Sequence, residues 1–176
     1  MTKRISADQI VSVMVKIRPS IMLPGEIGLF AARDISIGEV IGNGFPSTPM
    51  YLCSWEEYPK LDDATKEYVD KYCLGTPQGF YTYKNPHFMT TCWHMNHSCD
   101  GNVGFGGEDG DFVAIRDICI NSELVYDYGL MESNPRFRMN CLCGSPNCRG
   151  VITGCDWKKL QKTDSFRHMH PYLKGL

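Results

Sequence analysis

Three cysteines fall on one short loop, Cys141-Leu142-Cys143-Gly144-Ser145-Pro146-Asn147-Cys148, in a C-x-C-x4-C spacing. Thiolates are soft donors suited to zinc, and three of them on a tight loop fill three corners of a tetrahedral shell. A distant segment must supply the fourth corner. Cys99 is the obvious donor, with Cys155, just beyond the loop, as second choice. Four thiolates leave no open position for water, so the expected ion, one Zn2+, is a structural clasp between two parts of the chain rather than a catalytic metal.

Two more clusters carry chemical potential. Asn96-His97-Ser98 runs directly into Cys99, so an amide and an imidazole sit beside the proposed ligand. The same residues match an N-glycosylation pattern, which is incidental in a chain read as lacking a secretory signal. Tyr126-Asp127-Tyr128-Gly129 ends an apolar stretch; with strand alternation, Tyr126 and Tyr128 face one side and can line one pocket. Glycine-rich cradles for a nucleotide are poor. Gly42-Asn43-Gly44 runs into Phe45-Pro46 and Gly104-Phe105-Gly106-Gly107 into acidic turn residues, so neither opens a helix as a phosphate loop would. Gly25-Glu26-Ile27-Gly28 lets the backbone approach a ligand closely, or is a plain turn.

These residues must be held by a body of 176 residues, enough for one domain with its own core. The apolar run Ile10–Val15 is closed by Lys16 and Arg18, too early for a leader or a membrane span. The expectation is therefore a soluble, intracellular protein, nuclear or cytoplasmic, whose nine cysteines stay reduced. Cys53, Cys73, Cys92 and Cys119 stand singly among apolar residues and read as core hydrophobes. The net charge of -2 hides an asymmetry. Residues 134–176 carry eight Lys/Arg against two acids, and the preceding part ten against eighteen, or about +6 and -8. Unless it is plain solvated surface, the acidic body suits a lysine-rich peptide better than nucleic acid phosphate.

The positioning elements read as short strands broken by Gly and Asp: Ile10–Ile17 before Arg18-Pro19, Leu29–Arg33, Val40-Ile41, Phe80–Tyr83, Phe88–Cys92, Asp111–Asp117 and Leu124–Tyr126, with a loose hairpin at Gly104–Gly110. The turn before Leu124 falls at Asn121-Ser122, where Asn tolerates a left-handed backbone. One helix is predicted within 54–74, with Leu61, Ala64, Tyr68, Val69 and Tyr72 near one face and Asp62 or Asp63 as cap. Asn134-Pro135 predicts a short helical turn before the cysteines. The last twenty residues pack back on the body or stay mobile.

In this order, Gly25–Ala31, Asn96–Asp100, Glu123–Gly129 and Cys141–Gly150 resemble a SET domain protein lysine methyltransferase with a post-SET zinc motif. The resemblance implies a β-rich (α+β) fold: small sheets, a knot-like core where the Asn96 and Tyr126 segments thread together, a helical insertion and a C-terminal zinc loop. It divides the chain into a SET domain at 10–133 with a variable insertion at 50–88, a post-SET motif at 134–152 and a tail at 153–176. It implies S-adenosylmethionine as cofactor, held by Glu26, Ile27, Gly28, Trp93, Asn96, His97 and Tyr128, with Leu142 as an apolar contact from the zinc loop. The zinc ligands are Cys99, Cys141, Cys143 and Cys148. It makes Tyr128 the catalytic tyrosine, puts Tyr126 where the number of methyls is set, and calls for a second channel hydroxyl from Tyr81 or Tyr83, with Tyr81 preferred. The implied partner is a lysine-bearing protein or peptide such as a histone tail. No direct nucleic acid contact and no membrane association are expected, and oligomeric state is left open. A phenol at Tyr126 points to mono- or dimethyl product.

The departures are specific. The first glycine of the usual Lys-Gly-x-Gly turn is displaced by one, Trp93 stands where an arginine is common, Gly101 replaces a frequent proline, and no cysteine-rich pre-SET region precedes the domain. A SET-like interaction module without activity would keep the clasp and lose the cofactor pocket.

Overall fold

The computed structural model describes residues 6–7, 12–43, 50–85, 89–107 and 109–176. Strands β1 (Val15–Pro19) and β2 (Ile27–Ala31) form an antiparallel hairpin whose turn is enabled by Gly25 at φ +90°. The sequence predicts the first strand over Ile10–Ile17, but it begins at Val15 and continues through Pro19; Ile10 and Val11 lie outside the described residues. Register is dictated by β2, whose Gly28–Ala31 are buried, and β1 is a sheet edge, where a proline needs no ladder donor. After a turn at Ile37–Gly38 comes β3 (Val40–Gly42).

The insertion folds as its own layer. β4 (Met50–Ser54), α1 (Asp63–Tyr72), β5 (Leu74–Thr76) and β6 (Gly79–Tyr83) give a three-stranded antiparallel sheet in the order β4-β6-β5, with the helix between β4 and β5. Asp62 caps α1: its carboxylate accepts from the Thr65 N–H at 3.0 Å. The helix buries Val69, and its C-terminal end delivers Lys71 and Tyr72 toward the main sheet. Of the predicted strand Phe88–Cys92, Phe88 lies outside the described residues, and Thr91–His94 form a 3-10 turn instead. Local bonds from Trp93 N–H to the Thr90 carbonyl and from Met95 N–H to the Cys92 carbonyl win over a ladder there.

β7 (Asn96–His97), β8 (Val103–Gly106), β9 (Asp111–Ala114) and β10 (Glu123–Tyr126) complete the main sheet, in the order β1-β2-β10-β8-β9-β3. β7 pairs with β10 in parallel, matching Asn96 to Val125 and His97 to Tyr126. Parallel neighbours need a long crossover, and the β8–β9 hairpin is that crossover. Two segments that are distant in sequence thereby lie side by side. Asn121 enters β10 at φ 69°, the left-handed turn its type favours.

The core centres on Leu29, Met95, Phe105, Phe112 and Leu124. Beyond it, the predicted turn at Asn134-Pro135 forms as a single hydrogen-bonded turn, the Phe137 N–H donating to the Asn134 carbonyl at 2.9 Å, and it does not extend into a helix. Asn134 Oδ1 also accepts from the Arg136 N–H at 2.9 Å, the capping bond expected of an Asn before a first-turn proline. The chain then runs into β11 (Arg138–Asn140), which pairs antiparallel with β12 (Val151–Thr153) and brackets the cysteine loop. The C-terminal part, with α2 (Trp157–Leu160) and α3 (Pro171–Lys174), packs back on the body: Met169 and Leu173 are fully buried, a gain of about 2 kcal/mol each.

Candidate functional site

The Sγ atoms of Cys99, Cys141, Cys143 and Cys148 all lie within 4.8 Å of one another. Cys99 is on the turn after β7 and the other three are on the β11–β12 loop, so the parallel pairing and the hairpin jointly build the cluster. All four are unbridged thiols, and such a four-sulfur set can hold one zinc ion. Cys155 is exposed and outside the group.

Next to the cluster, polar bonds run from the metal site to the tyrosines. The Tyr128 N–H donates to His97 Nδ1 at 3.1 Å, so in the neutral ring Nε2 carries the proton, 3.4 Å from Cys99 Sγ. Burial pushes the His97 pKa down to about 4, which keeps the ring neutral near pH 7. The Tyr128 hydroxyl donates to the Met95 carbonyl at 3.1 Å, and its ring lies 4.9 Å from that of Tyr126. Burial drives both phenols well above their ordinary range, so both act as neutral hydroxyls. Asp127, between them, is gripped by the Arg149 guanidinium through two 2.6 Å bonds, and Arg149 Nε reaches Asp156 at 2.9 Å. Arg149 directly follows the ligand Cys148 and donates its own N–H toward Cys99 Sγ at 3.4 Å. This three-residue ion network is absent from the sequence expectations. Its members are scattered through the chain and meet only once the loop has folded.

Two cavities flank Tyr128. One, of about 200 Å³, is lined by Glu26, Ile27, Trp93, Met95, Asn96, His97 and Met139. The other, of about 320 Å³, is lined by Leu74, Tyr126, Met131, Glu132, Phe137 and Arg138. Lys71, Tyr72, Trp93 and Tyr128 belong to both walls, so Tyr128 stands where the two meet. The first cavity has apolar faces, the carboxylate of Glu26 and His94, whose buried Nδ1 lacks a hydrogen-bond partner. That mixture fits a ligand with both an aromatic base and a charged end, such as S-adenosylmethionine.

Of the expected cofactor residues, Glu26, Ile27, Trp93, Asn96, His97 and Tyr128 line that cavity. Gly28 lies behind it, where an added Cβ would collide with the Glu123 carboxylate. Asn96 Nδ2 donates to the Ile27 carbonyl at 2.9 Å and to Glu123 at 3.0 Å, fixing the turn to β7. Leu142 lines neither cavity; it is 67% exposed, and Met139 is what the β11 segment contributes. A C-x-C loop wrapped around its sulfurs turns the intervening side chain outward. Tyr81 is on neither wall and packs half-buried against the core. Tyr72 is the aromatic residue that reaches the junction. Its place on the apolar face of the predicted helix reads equally as core, so periodicity alone does not single it out.

Fold and site together define a SET domain. The chain belongs to that family, whose model matches residues 26–129. It is 40% identical over 65 residues to the histone-lysine N-methyltransferase, H3 lysine-4 specific, of Eremothecium gossypii, covering 33% of this chain and 7% of that protein. It is 33% identical over 115 residues to the histone-lysine N-methyltransferase, H3 lysine-9 specific SUVH3, of Arabidopsis thaliana, covering 54% of this chain and 17% of that one. The chain thus spans a small part of the curated relatives it matches. Among solved structures, KRYPTONITE in complex with mCHG DNA and SAH superposes with a TM-score of 0.52 at 16% identity, over 78% of this chain and 28% of that one, a likeness of fold.

Proposed function

We propose that the protein is an S-adenosylmethionine-dependent protein-lysine methyltransferase acting on a lysine of a basic protein tail, with histone H3 as the first candidate. The observation that carries this is the position of Tyr128 on the shared wall of the two cavities, one suited to the cofactor and one open to a side chain. The two named relatives above, both histone-lysine methyltransferases, support the substrate class.

When bound, S-adenosylmethionine supplies an electrophilic methyl on a sulfonium. The residues of this chain align and dry the path. Glu26, Ile27, Asn96 and His97 hold the cofactor side, while Trp93 and Tyr72 wall the junction. Tyr128, fixed through its N–H by His97 and through its hydroxyl by the Met95 carbonyl, orients the incoming amine. The amine must arrive neutral, and a desolvated passage beside a positive sulfonium favours loss of its proton. A zinc held by the four cysteines would anchor both ends of the arrangement, through Cys99 beside β7 and through the loop that follows Met139 of β11.

Calorimetric titration with S-adenosylmethionine tests the cofactor pocket. The zinc-loaded chain should bind one equivalent, and chelation should abolish binding together with activity, because apo loops lose the folding energy the metal supplies. A zinc-loaded chain that takes up no cofactor would be an interaction module.

A further inference from the structure

The substrate-side cavity contains a carboxylate with no task in the mechanism above. Glu132 lines the cavity together with Tyr126 and Tyr128. Its Oε1 accepts from the Asn134 N–H at 2.6 Å and its Oε2 from the Gly75 N–H at 3.2 Å. A glycine is needed beneath it: a Cβ at position 75 would come within 2.6 Å of Oε1 and 2.7 Å of Asn134 Cβ. Two backbone donors therefore fix the carboxyl group in place, but they bring no positive charge.

No ion pair to Glu132 forms among the described residues. Two of the three cations on the same wall have contacts of their own, and the third, Arg138, makes no ion pair to Glu132. Lys71 is 2.6 Å from Glu26, and the Arg136 guanidinium lies 4.5 Å over the Trp55 ring. Burial, opposed by the backbone N–H groups of Asn134, Gly75 and Ser133, pushes the Glu132 carboxyl up to about 7. A buried carboxylate without a counter-charge is costly, and an arriving cation removes that cost.

We propose that Glu132 is the cation subsite of the substrate-side cavity: its carboxylate captures the ammonium of the substrate lysine as that side chain passes Tyr126 toward Tyr128. The proposal rests on the lysine-methyltransferase function above. An ammonium entering an apolar passage loses its hydration, and an oriented anion on the wall compensates before the proton is shed. The Glu132 charge reaches Tyr126, whose phenol it helps to hold neutral after burial and Tyr128 have done most of that work.

Capture requires the carboxylate form, so affinity for a cation is present above about pH 7 and is lost as pH falls below it. The other charged groups on the wall are Asp70 and Lys71 from the end of α1 and Arg136 and Arg138 before and within β11. Cys73, pushed up to about 11 by burial, and the raised phenols of Tyr126 and Tyr128 keep their protons throughout the range.

The probe is n-butylammonium, the lysine side chain without its backbone, with n-butanol as the uncharged control, titrated into the zinc-loaded chain between pH 5.5 and 8.5. In the wild type, n-butylammonium binding should weaken about tenfold for each pH unit below 7, the slope of one proton, while n-butanol binding stays flat. Glu132→Gln should bind n-butylammonium at least tenfold more weakly at pH 8 and lose the pH slope. The wild-type slope needs no variant and decides the matter even where the variant fails to fold. A flat wild-type profile, or unchanged n-butylammonium affinity in folded Glu132→Gln, overturns the proposal. Failure to methylate any lysine while the slope is present would instead overturn the assigned function and leave the cation subsite standing.

Discussion

At the scale of single residues, the account turns on two neutral phenols 4.9 Å apart by ring centre, one at the junction of the cavities and one on the substrate side. Tyr126 lines the substrate-side cavity, and in the proposed function it would take up room that a growing methylammonium needs. Tyr126→Phe should therefore move the product from mono- or dimethyl toward trimethyl lysine, read by mass spectrometry of the product peptide. Efficient trimethylation by the wild type would contradict this role. The four cysteines were legible in the sequence because ligand spacing survives whatever fold surrounds it. Tyr72 was not, since a helical aromatic facing the core and one facing a cavity share the same periodicity, while Tyr81 follows only from the family's need for a second channel hydroxyl, which sequence alone does not place.

At the scale of elements, the parallel pairing of β7 with β10 makes one site of two motifs, and the β11–β12 loop is tied onto it by charge and closes a four-cysteine set that can hold a metal. Asp127 and Asp156 are 7% and 5% exposed, and both depend on Arg149 for their counter-charge. Arg149→Met should cost about 3 kcal/mol, the scale for stranding a buried charge, measured by urea unfolding of the zinc-loaded chain. Arg149→Lys should recover only part of this, because an ammonium cannot reproduce the two-pronged grip. An unchanged urea midpoint in Arg149→Met would show that the network does not hold the loop. The sequence revealed α1 through local signals and narrowed its cap to Asp62 or Asp63, of which Asp62 makes the bond. It misplaced the start of β1 and read Thr91-Cys92 as strand, where pairing with β2 and local 3-10 bonds decided the outcome.

At the scale of the whole molecule, the C-terminal part is core rather than appendage, a choice the sequence left open. His170 is buried edge-on to Phe105, caps α3 through Nδ1 and donates its backbone N–H to the Leu130 carbonyl just beyond Tyr128. Burial holds its pKa down to about 4, below the roughly 6.5 of an unfolded chain. The unfolded chain thus binds a proton that the folded one refuses, and this contribution to stability falls as pH drops from 6.5 toward 4. Between pH 7.5 and 5.0 the loss from this residue should be about 2 kcal/mol, and His170→Asn, which keeps a capping acceptor, should show a correspondingly flatter pH profile in urea unfolding. Equal slopes in both proteins would place His170 in a solvated position.

The proposed reaction is methyl transfer to a lysine amine at Tyr128. Its most direct test is tandem mass spectrometry of histone H3 after incubation with the zinc-loaded chain and S-adenosylmethionine carrying a deuterated methyl. The account predicts the label on a lysine Nζ, at a rate reduced about 10²-fold or more in Tyr128→Phe, the scale for losing one preorganised polar group. An H3 sample without labelled lysine, or equal labelling by wild type and Tyr128→Phe, would contradict it.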